Sequence, residues 1–298
     1  MNMSNNSCFI CGGVDFDKHT DEYRRCTGCG HEILVSTQAQ GFILNDPLTK
    51  KDAQHVTGLD RFKSKVLARF DISSVKGQLV DIGSASGKFL FLNAPHYQRV
   101  FGVEVTPEAL AFSRKVLGLD IKEDVLEVPS GTTVATAWHS LEHIPGKALV
   151  NILTALSTNM INNSRLIVSV PNGDSRQYRW FGTAYAYFDV PNHLHQFTEL
   201  SLTKLMGRCG FSPVDTIHSW PYNTFGYVQG LLNITTRTHN YLYYRLKRRS
   251  LKPSIALDIA HVFLLPLLVP TGWLLGFLDM FDMKHQGVIT LCFEKKQI

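Results

Sequence analysis

A doubly wound, mostly parallel α/β sheet is the fold class this sequence predicts, on three observations. The first is Leu79-Val80-Asp81-Ile82-Gly83-Ser84-Ala85-Ser86-Gly87-Lys88-Phe89-Leu90, where apolar residues lead to an acid, small residues and an apolar restart. It reads as a strand, a tight loop and the start of a helix. The second is Val100–Val105, another apolar strand, closing on Glu104 about twenty residues later. The third is alternation. Strand candidates Gln78–Ile82, Arg99–Val105, Asp120–Lys122, Thr133–Trp138 and Arg165–Val170 are separated by helical stretches, notably Pro107–Leu117 and Lys147–Met160. Such alternation sets the strands parallel, with helices on both faces.

Each element has a local reason. Gly83 and Gly87 give the loop dihedrals that a side chain would forbid and let backbone approach a ligand. The helix that follows offers free N–H groups. An acid at the end of the second strand is where a ribose diol would be held, so the pair points to a nucleoside cofactor. The tight glycine order of dinucleotide sites is absent. Pro107 suits a first helical position, where no N–H is needed. Ahead of the first strand, Gln38–Lys76 has helical spacing, with Leu59, Phe62, Val66, Leu67 and Phe70 at three- and four-residue steps. That stripe is read as packing against the sheet. Two late strands, Ser212–His218 and Gly287–Phe293, complete the sheet.

The 298 residues carry a formal charge of +5 and six cysteines. No secretory signal is visible, which predicts a cytoplasmic setting with reduced or metal-bound cysteines. Cys8, Cys11, Cys26 and Cys29 form C-x2-C, fourteen residues, C-x2-C, with glycines beside each pair. Two such knuckles supply four thiolates for a structural Zn2+ with no open position for chemistry. Lys18, Arg24 and Arg25 are offset by Asp15, Asp17, Asp21 and Glu22, so no nucleic acid partner is expected.

Taken in order, these residues resemble a class I S-adenosylmethionine-dependent methyltransferase, with a seven-stranded Rossmann-like sheet. Asp81-x-Gly83-x-x-x-Gly87 resembles its first motif, and Glu104 the acid that ends strand two. Asp124-Val125 resembles the acid beside the adenine. Trp138-His139-Ser140-Leu141-Glu142-His143-Ile144 resembles the segment after strand four, and Arg165–Asn172 the fifth strand's edge. His193-Leu194-His195-Gln196-Phe197-Thr198, then Leu205–Phe211, resembles the run before strand six. The likeness covers residues 76–220 and the final strand, nearest to ubiquinone-type O-methyltransferases and sugar or glycolipid methyltransferases. It implies that Asp81, Gly83, Ser84, Ala85, Gly87, Glu104, Val105, Asp124, Val125 and His139 bind the cofactor. Ala85 stands where the family usually has glycine. An ordinary φ is expected there, because a positive φ would cost an alanine about 1 kcal/mol or more.

A hydroxyl acceptor needs a base, and histidine suits neutral pH. His143 ranks first, followed by His193 and His195. Each has a plainer alternative: Glu142-His143 as a helix cap, His195 as a tie between loop and sheet. Tyr185, Tyr187 and Phe188 could line an acceptor pocket or pack among themselves.

Between the last two strands, Ile259–Leu278 contains no Asp, Glu, Lys or Arg. About twenty such residues could span a bilayer, but Pro266 and Pro270 interrupt the run and both ends return to one sheet. The expectation is a two-helix hairpin with its turn near Pro266–Gly272, dipping into one leaflet. Lys247, Arg248, Arg249 and Lys252 precede it and Lys284 follows, with Trp273, Tyr241, Tyr243 and Tyr244 as interface anchors. A buried hairpin or a dimer contact is the alternative.

The expected organisation is a zinc ribbon (1–37), a helical cover (38–75), the cofactor-binding domain (76–220), the apolar insertion (221–284) and the last strand (285–298). The expected function is methyl transfer to a hydroxyl of a lipid-linked sugar or isoprenoid-type acceptor, by a protein peripheral to the inner face of a membrane. A soluble sugar-nucleotide methyltransferase and a non-catalytic binding scaffold are the competing readings.

Overall fold

The computed structural model describes residues 7–35, 49–72, 76–246 and 254–296. The basic residues Lys247, Arg248, Arg249 and Lys252 lie outside them. Strands β1 (Phe16–Lys18), β2 (Tyr23–Cys26) and β3 (Glu32–Leu34) come first, then helices α1 (Lys50–Gln54) and α2 (Gly58–Phe70). The alternating part runs β4 (Gln78–Ile82), α3 (Lys88–Asn93), β5 (Arg99–Val103), α4 (Pro107–Lys115), β6 (Asp120–Lys122), β7 (Thr132–Trp138), α5 (Gly146–Asn159) and β8 (Met160–Pro171). After it come α6 (Arg176–Phe181), β9 (His195–Gln196), α7 (Glu199–Arg208), β10 (Phe211–Ile217), α8 (Trp220–Thr236), α9 (Tyr241–Leu246), α10 (Ile255–Leu278) and β11 (Val288–Lys295).

Seven strands form one sheet in the order β10-β11-β8-β7-β4-β5-β6. Strands β4 to β8 pair in parallel, and β11 runs antiparallel between β8 and β10. From β4 the chain winds outward to β6, then returns through β7 to the other side. The crevice at such a reversal, at the carboxyl ends of β4 and β7, is where ligands bind in these sheets. Strand β4 is buried at every residue, as a central parallel strand requires. Helix α2 buries Val66, Leu67 and Phe70, so the predicted stripe does pack on the sheet. Capping boxes at Thr49 and Thr57 start α1 and α2.

The N-terminal strands do not close on themselves. Their sheet has the order β1-β2-β3-β9, and its fourth strand comes from far along the chain. Cys8, Ile10, Cys26 and Cys29 share one apolar core with Leu153, Leu202 and Phe211.

The expected turn at Pro266–Gly272 does not form. One 24-residue helix, α10, runs through both prolines. Each proline removes a helical hydrogen bond, at a cost of about 3 kcal/mol, yet Thr271, the one polar side chain between Pro266 and Gly272, donates to the Leu267 carbonyl at 2.9 Å rather than hydrating a turn. Packing on α8 compensates. A Cβ added at Gly272 would lie 2.4 Å from Val228 Cγ2, and at Gly276 2.6 Å from Thr224 Oγ1, so the backbones meet where only glycine fits. The hairpin is therefore α8 against α10, leaving the sheet after β10 and returning into its neighbour β11.

Candidate functional site

The glycine loop is tied at both ends. Gly83 and Ser84 donate to the Val103 carbonyl, at 2.8 and 3.1 Å. Gly83 has φ +72, and a Cβ there would fall 2.3 Å from Ser140 Cβ, so both the dihedral and the space demand glycine. Ser140 in turn donates to the Ile82 carbonyl at 2.7 Å. Ala85 departs from expectation, with φ +46 rather than an ordinary value. Glu104 gives the reason. One carboxylate oxygen accepts the Ala85 N–H at 2.8 Å, and the other accepts from Val105 and Thr106, each at 2.8 Å. That charged acceptor draws the Ala85 amide inward and holds the strained dihedral. It also turns the chain into α4, which is why β5 stops at Val103 rather than Val105.

Asp81 is buried at the end of β4 and accepts the Thr136 hydroxyl at 2.6 Å. Burial pushes its carboxyl up to about 7, against the Thr136 hydrogen bond and the charge of Lys63. Asp124 accepts from the Leu126 N–H at 3.0 Å and starts a short 3-10 turn in which Val125 is buried. Gly87, with φ +76, leads into α3. Lys88 reaches Asp60 at 2.7 Å and pins α2 beside the loop.

Across the crevice, β7 is followed by His139, held at φ +52. A non-glycine residue in that region marks strain, and strain gathers at functional sites. Its ring lies 4.5 Å from that of Tyr222 on α8 and stacks on Tyr187 at 5.6 Å. Glu142 follows on a 3-10 turn, fully buried, with His139 Nδ1 at 3.5 Å. One ligating atom each of Glu142, His143 and His193 lies within 4.8 Å of the others. Among the described residues both Glu142 oxygens are buried without a hydrogen-bond partner. Burial pushes the carboxyl up, yet the nearby His139 ring and the charges of His143, His139 and His193 outweigh it and hold it at about 2. Burial, with His143 adding, pushes His193 down to about 4.

The ring nitrogens are assigned by their partners. His143 Nδ1 faces the Asn192 carbonyl at 3.0 Å, so in the neutral ring Nδ1 carries the proton and Nε2 the lone pair. His193 Nδ1 likewise donates to the Tyr187 carbonyl at 2.9 Å. His195 is placed differently. It binds the Ile144 carbonyl at 3.0 Å through Nε2 and is enclosed by Phe9, His31 and Phe197.

Three residues here carried no signal as site residues in the sequence. Lys63 and Tyr222 sit on helices whose spacing speaks only of packing. Glu142 reads as a helix cap, although an acid between Leu141 and Ile144 hints at burial. Among the described residues the Tyr222 hydroxyl and His139 Nε2 have no hydrogen-bond partner although buried.

In the N-terminal module the four cysteine sulfurs lie within 4.8 Å of one another. Cys8–Cys29 is 3.7 Å and Cys11–Cys26 is 3.5 Å. A tetrahedron with Zn–S bonds of about 2.3 Å sets its sulfurs about 3.8 Å apart, so the cage fits the ion. The thiol hydrogen bond between Cys8 and Cys29 pulls Cys8 down and, with burial, pushes Cys29 up, so binding a metal here releases thiol protons.

A family model described as a methyltransferase domain matches residues 54–216, more than half of the chain. The chain belongs to this methyltransferase family. The methyltransferase is of class I, and its donor is S-adenosylmethionine. The match leaves the cysteine cage and the α8–α10 hairpin outside. No curated protein matches the sequence. Among solved structures, one from Galdieria sulphuraria, proposed to be a sarcosine dimethylglycine methyltransferase, is similar at 13% identity and a TM-score of 0.51, over 84% of this chain and 92% of its own. The cyclopropane synthase MmaA2 from Mycobacterium tuberculosis is similar at 12% identity and a TM-score of 0.50, over 79% and 84%. At such identities the likeness concerns fold alone.

Proposed function

We propose that the methyltransferase methylates a hydroxyl of a lipid-linked sugar or isoprenoid-type acceptor presented at a cytoplasmic membrane surface. One observation carries the transfer chemistry. The glycine loop locked by Glu104 and the histidine cluster around Glu142 meet at the same crevice, joined by Ser140 packing on Gly83. S-adenosylmethionine supplies the electrophilic methyl group there. In this reading Glu104 Oε2 keeps one lone pair for a ribose hydroxyl after the three backbone contacts. Gly83, Ser84, Ala85 and Gly87 line the methionine side, Asp81 orders the loop, and Val105, Asp124 and Val125 border the adenine. His139 closes the acceptor side with Tyr187 and Tyr222.

His143 takes the acceptor's proton at Nε2, while the Asn192 carbonyl fixes the proton on Nδ1. Glu142 stabilises the imidazolium that forms, as a buried carboxylate does in a catalytic triad. His193 is the alternate base, and His195 supports the loop. Cys8, Cys11, Cys26 and Cys29 hold a structural Zn2+. The acceptor class is inferred from α10, whose outward face is apolar along its whole length: Ile255, Ile259, Val262, Phe263, Leu267, Trp273, Leu274 and Phe277 are all exposed. A bilayer surface covers such a face, and the basic run before it suits anionic lipid.

The test uses S-adenosylmethionine labelled on its methyl group and a membrane lipid extract. Label should enter the organic phase with the wild type. His143→Ala should lower that rate about 100-fold, the usual scale of general-base catalysis, with donor affinity by calorimetry unchanged. Label found only in water-soluble product would overturn the lipid acceptor, and full activity of His143→Ala the base.

A further inference from the structure

The segment that carries His193 is held from both sides. On one side it meets the catalytic turn: the Leu194 N–H donates to the Glu142 carbonyl at 2.8 Å, and the Asn192 carbonyl accepts from His143 at 3.0 Å. The His143 and His193 rings lie 4.7 Å apart. On the other side it meets the cysteine module, residue after residue. The buried Tyr23 hydroxyl donates to the His193 carbonyl at 2.7 Å. The Leu34 N–H donates to the Leu194 carbonyl at 3.0 Å. Strand β3 pairs with β9 in the register Ile33–His195 and Glu32–Gln196. The Thr198 hydroxyl donates to the carbonyl of Cys29, itself one of the four cage cysteines, at 3.0 Å.

We infer that the N-terminal module is a working part of the active site, and that Tyr23 is a positioning residue that sets His193 against His143. A segment as short as β9 has too few contacts of its own to hold one geometry. Its register is supplied by β3, and β3 is fixed by the turn between Cys26 and Cys29. Metal occupancy of the cage and the geometry of the histidine cluster are thereby one mechanical property. The inference rests on reading that cluster as the acceptor side of the site, but its test requires no acceptor.

The experiment uses the full chain loaded with Zn2+ and labelled with 15N, as wild type and as Tyr23→Phe. The substitution keeps the ring and removes the hydroxyl that donates to His193 and meets the Gln196 side chain. Zinc content should be unchanged. The His143 and His193 ring signals should shift while that of exposed His96 stays in place, which a general loss of stability would not do. Amide exchange over residues 193–196 should rise about tenfold, the factor expected for one lost buried hydrogen bond. Chelating the metal from wild type is the second arm, and it should move the same signals further. Unmoved His193 signals in either the variant or the stripped protein would overturn the inference. That failure would leave methyl transfer intact, whereas an active His143→Ala enzyme beside shifted His193 signals would remove the assigned base and keep the coupling.

Discussion

Ala85 shows how one side chain can be strained by another. Its φ of +46 is disfavoured for alanine by roughly 1–2 kcal/mol, and Glu104 holds it there through the Ala85 N–H. Ala85→Gly relieves that strain but adds about 0.4–1 kcal/mol of unfolded-chain entropy. The net expectation is a gain of between zero and about 1.6 kcal/mol, measured by urea unfolding of the cofactor-free protein. A loss would mean that the dihedral costs this alanine nothing. The need for small residues at 83–87 was legible, because apolar–acid–small–apolar has few other uses. The sign of φ at Ala85 was not, since it depends on a carboxylate nineteen residues away in sequence. Glu142 was hidden for a related reason. Its burial among His139, His143 and His193 is created by the return of residues 189–196, which nothing local announces.

At the scale of elements, strands were read within a residue or two wherever alternation was strong, as at β4, β6 and β7. The departures have local causes. Strand β5 ends early because Glu104 folds back on its own backbone, and β8 starts early at Met160. Helix α10 is the larger departure. Prolines argue for a break in a sequence, but the alternative here was an exposed turn with Thr271 as its one polar side chain. Close packing of Gly272 and Gly276 on α8 decides for one helix. Its length is about 36 Å at 1.5 Å per residue, and by length and composition it could cross a bilayer. In the proposed membrane contact, α8 and α10 would lie along one leaflet, since they leave and rejoin adjacent strands. Phe263 is 79% exposed on that face. Phe263→Asp should therefore change stability by no more than about 0.5 kcal/mol, while flotation with vesicles rich in phosphatidylglycerol falls several-fold. Equal flotation of variant and wild type would remove the helix from the membrane contact.

For the whole molecule, the cysteine module and the sheet behave as one body, because Cys8, Cys26 and Cys29 belong to the core that α5 and α7 complete. Cys8→Ser combined with Cys11→Ser removes half of the ligands of the proposed zinc site, of a kind whose binding energy is of order 10 kcal/mol. Calorimetry should show one transition displaced downward by many degrees. An unchanged main transition preceded by a small separate one would mean that the module folds alone. The sequence by itself determined the alternating sheet, the glycine loop with its acid partner and the spacing of the four cysteines, because each is written in neighbouring residues or in a fixed period. Only the tertiary structure decided that α10 is continuous, that Glu142 joins three histidines and that β3 borrows its partner strand from residues 195–196. Those outcomes are set by contacts between distant segments, and no local pattern encodes the competition between them.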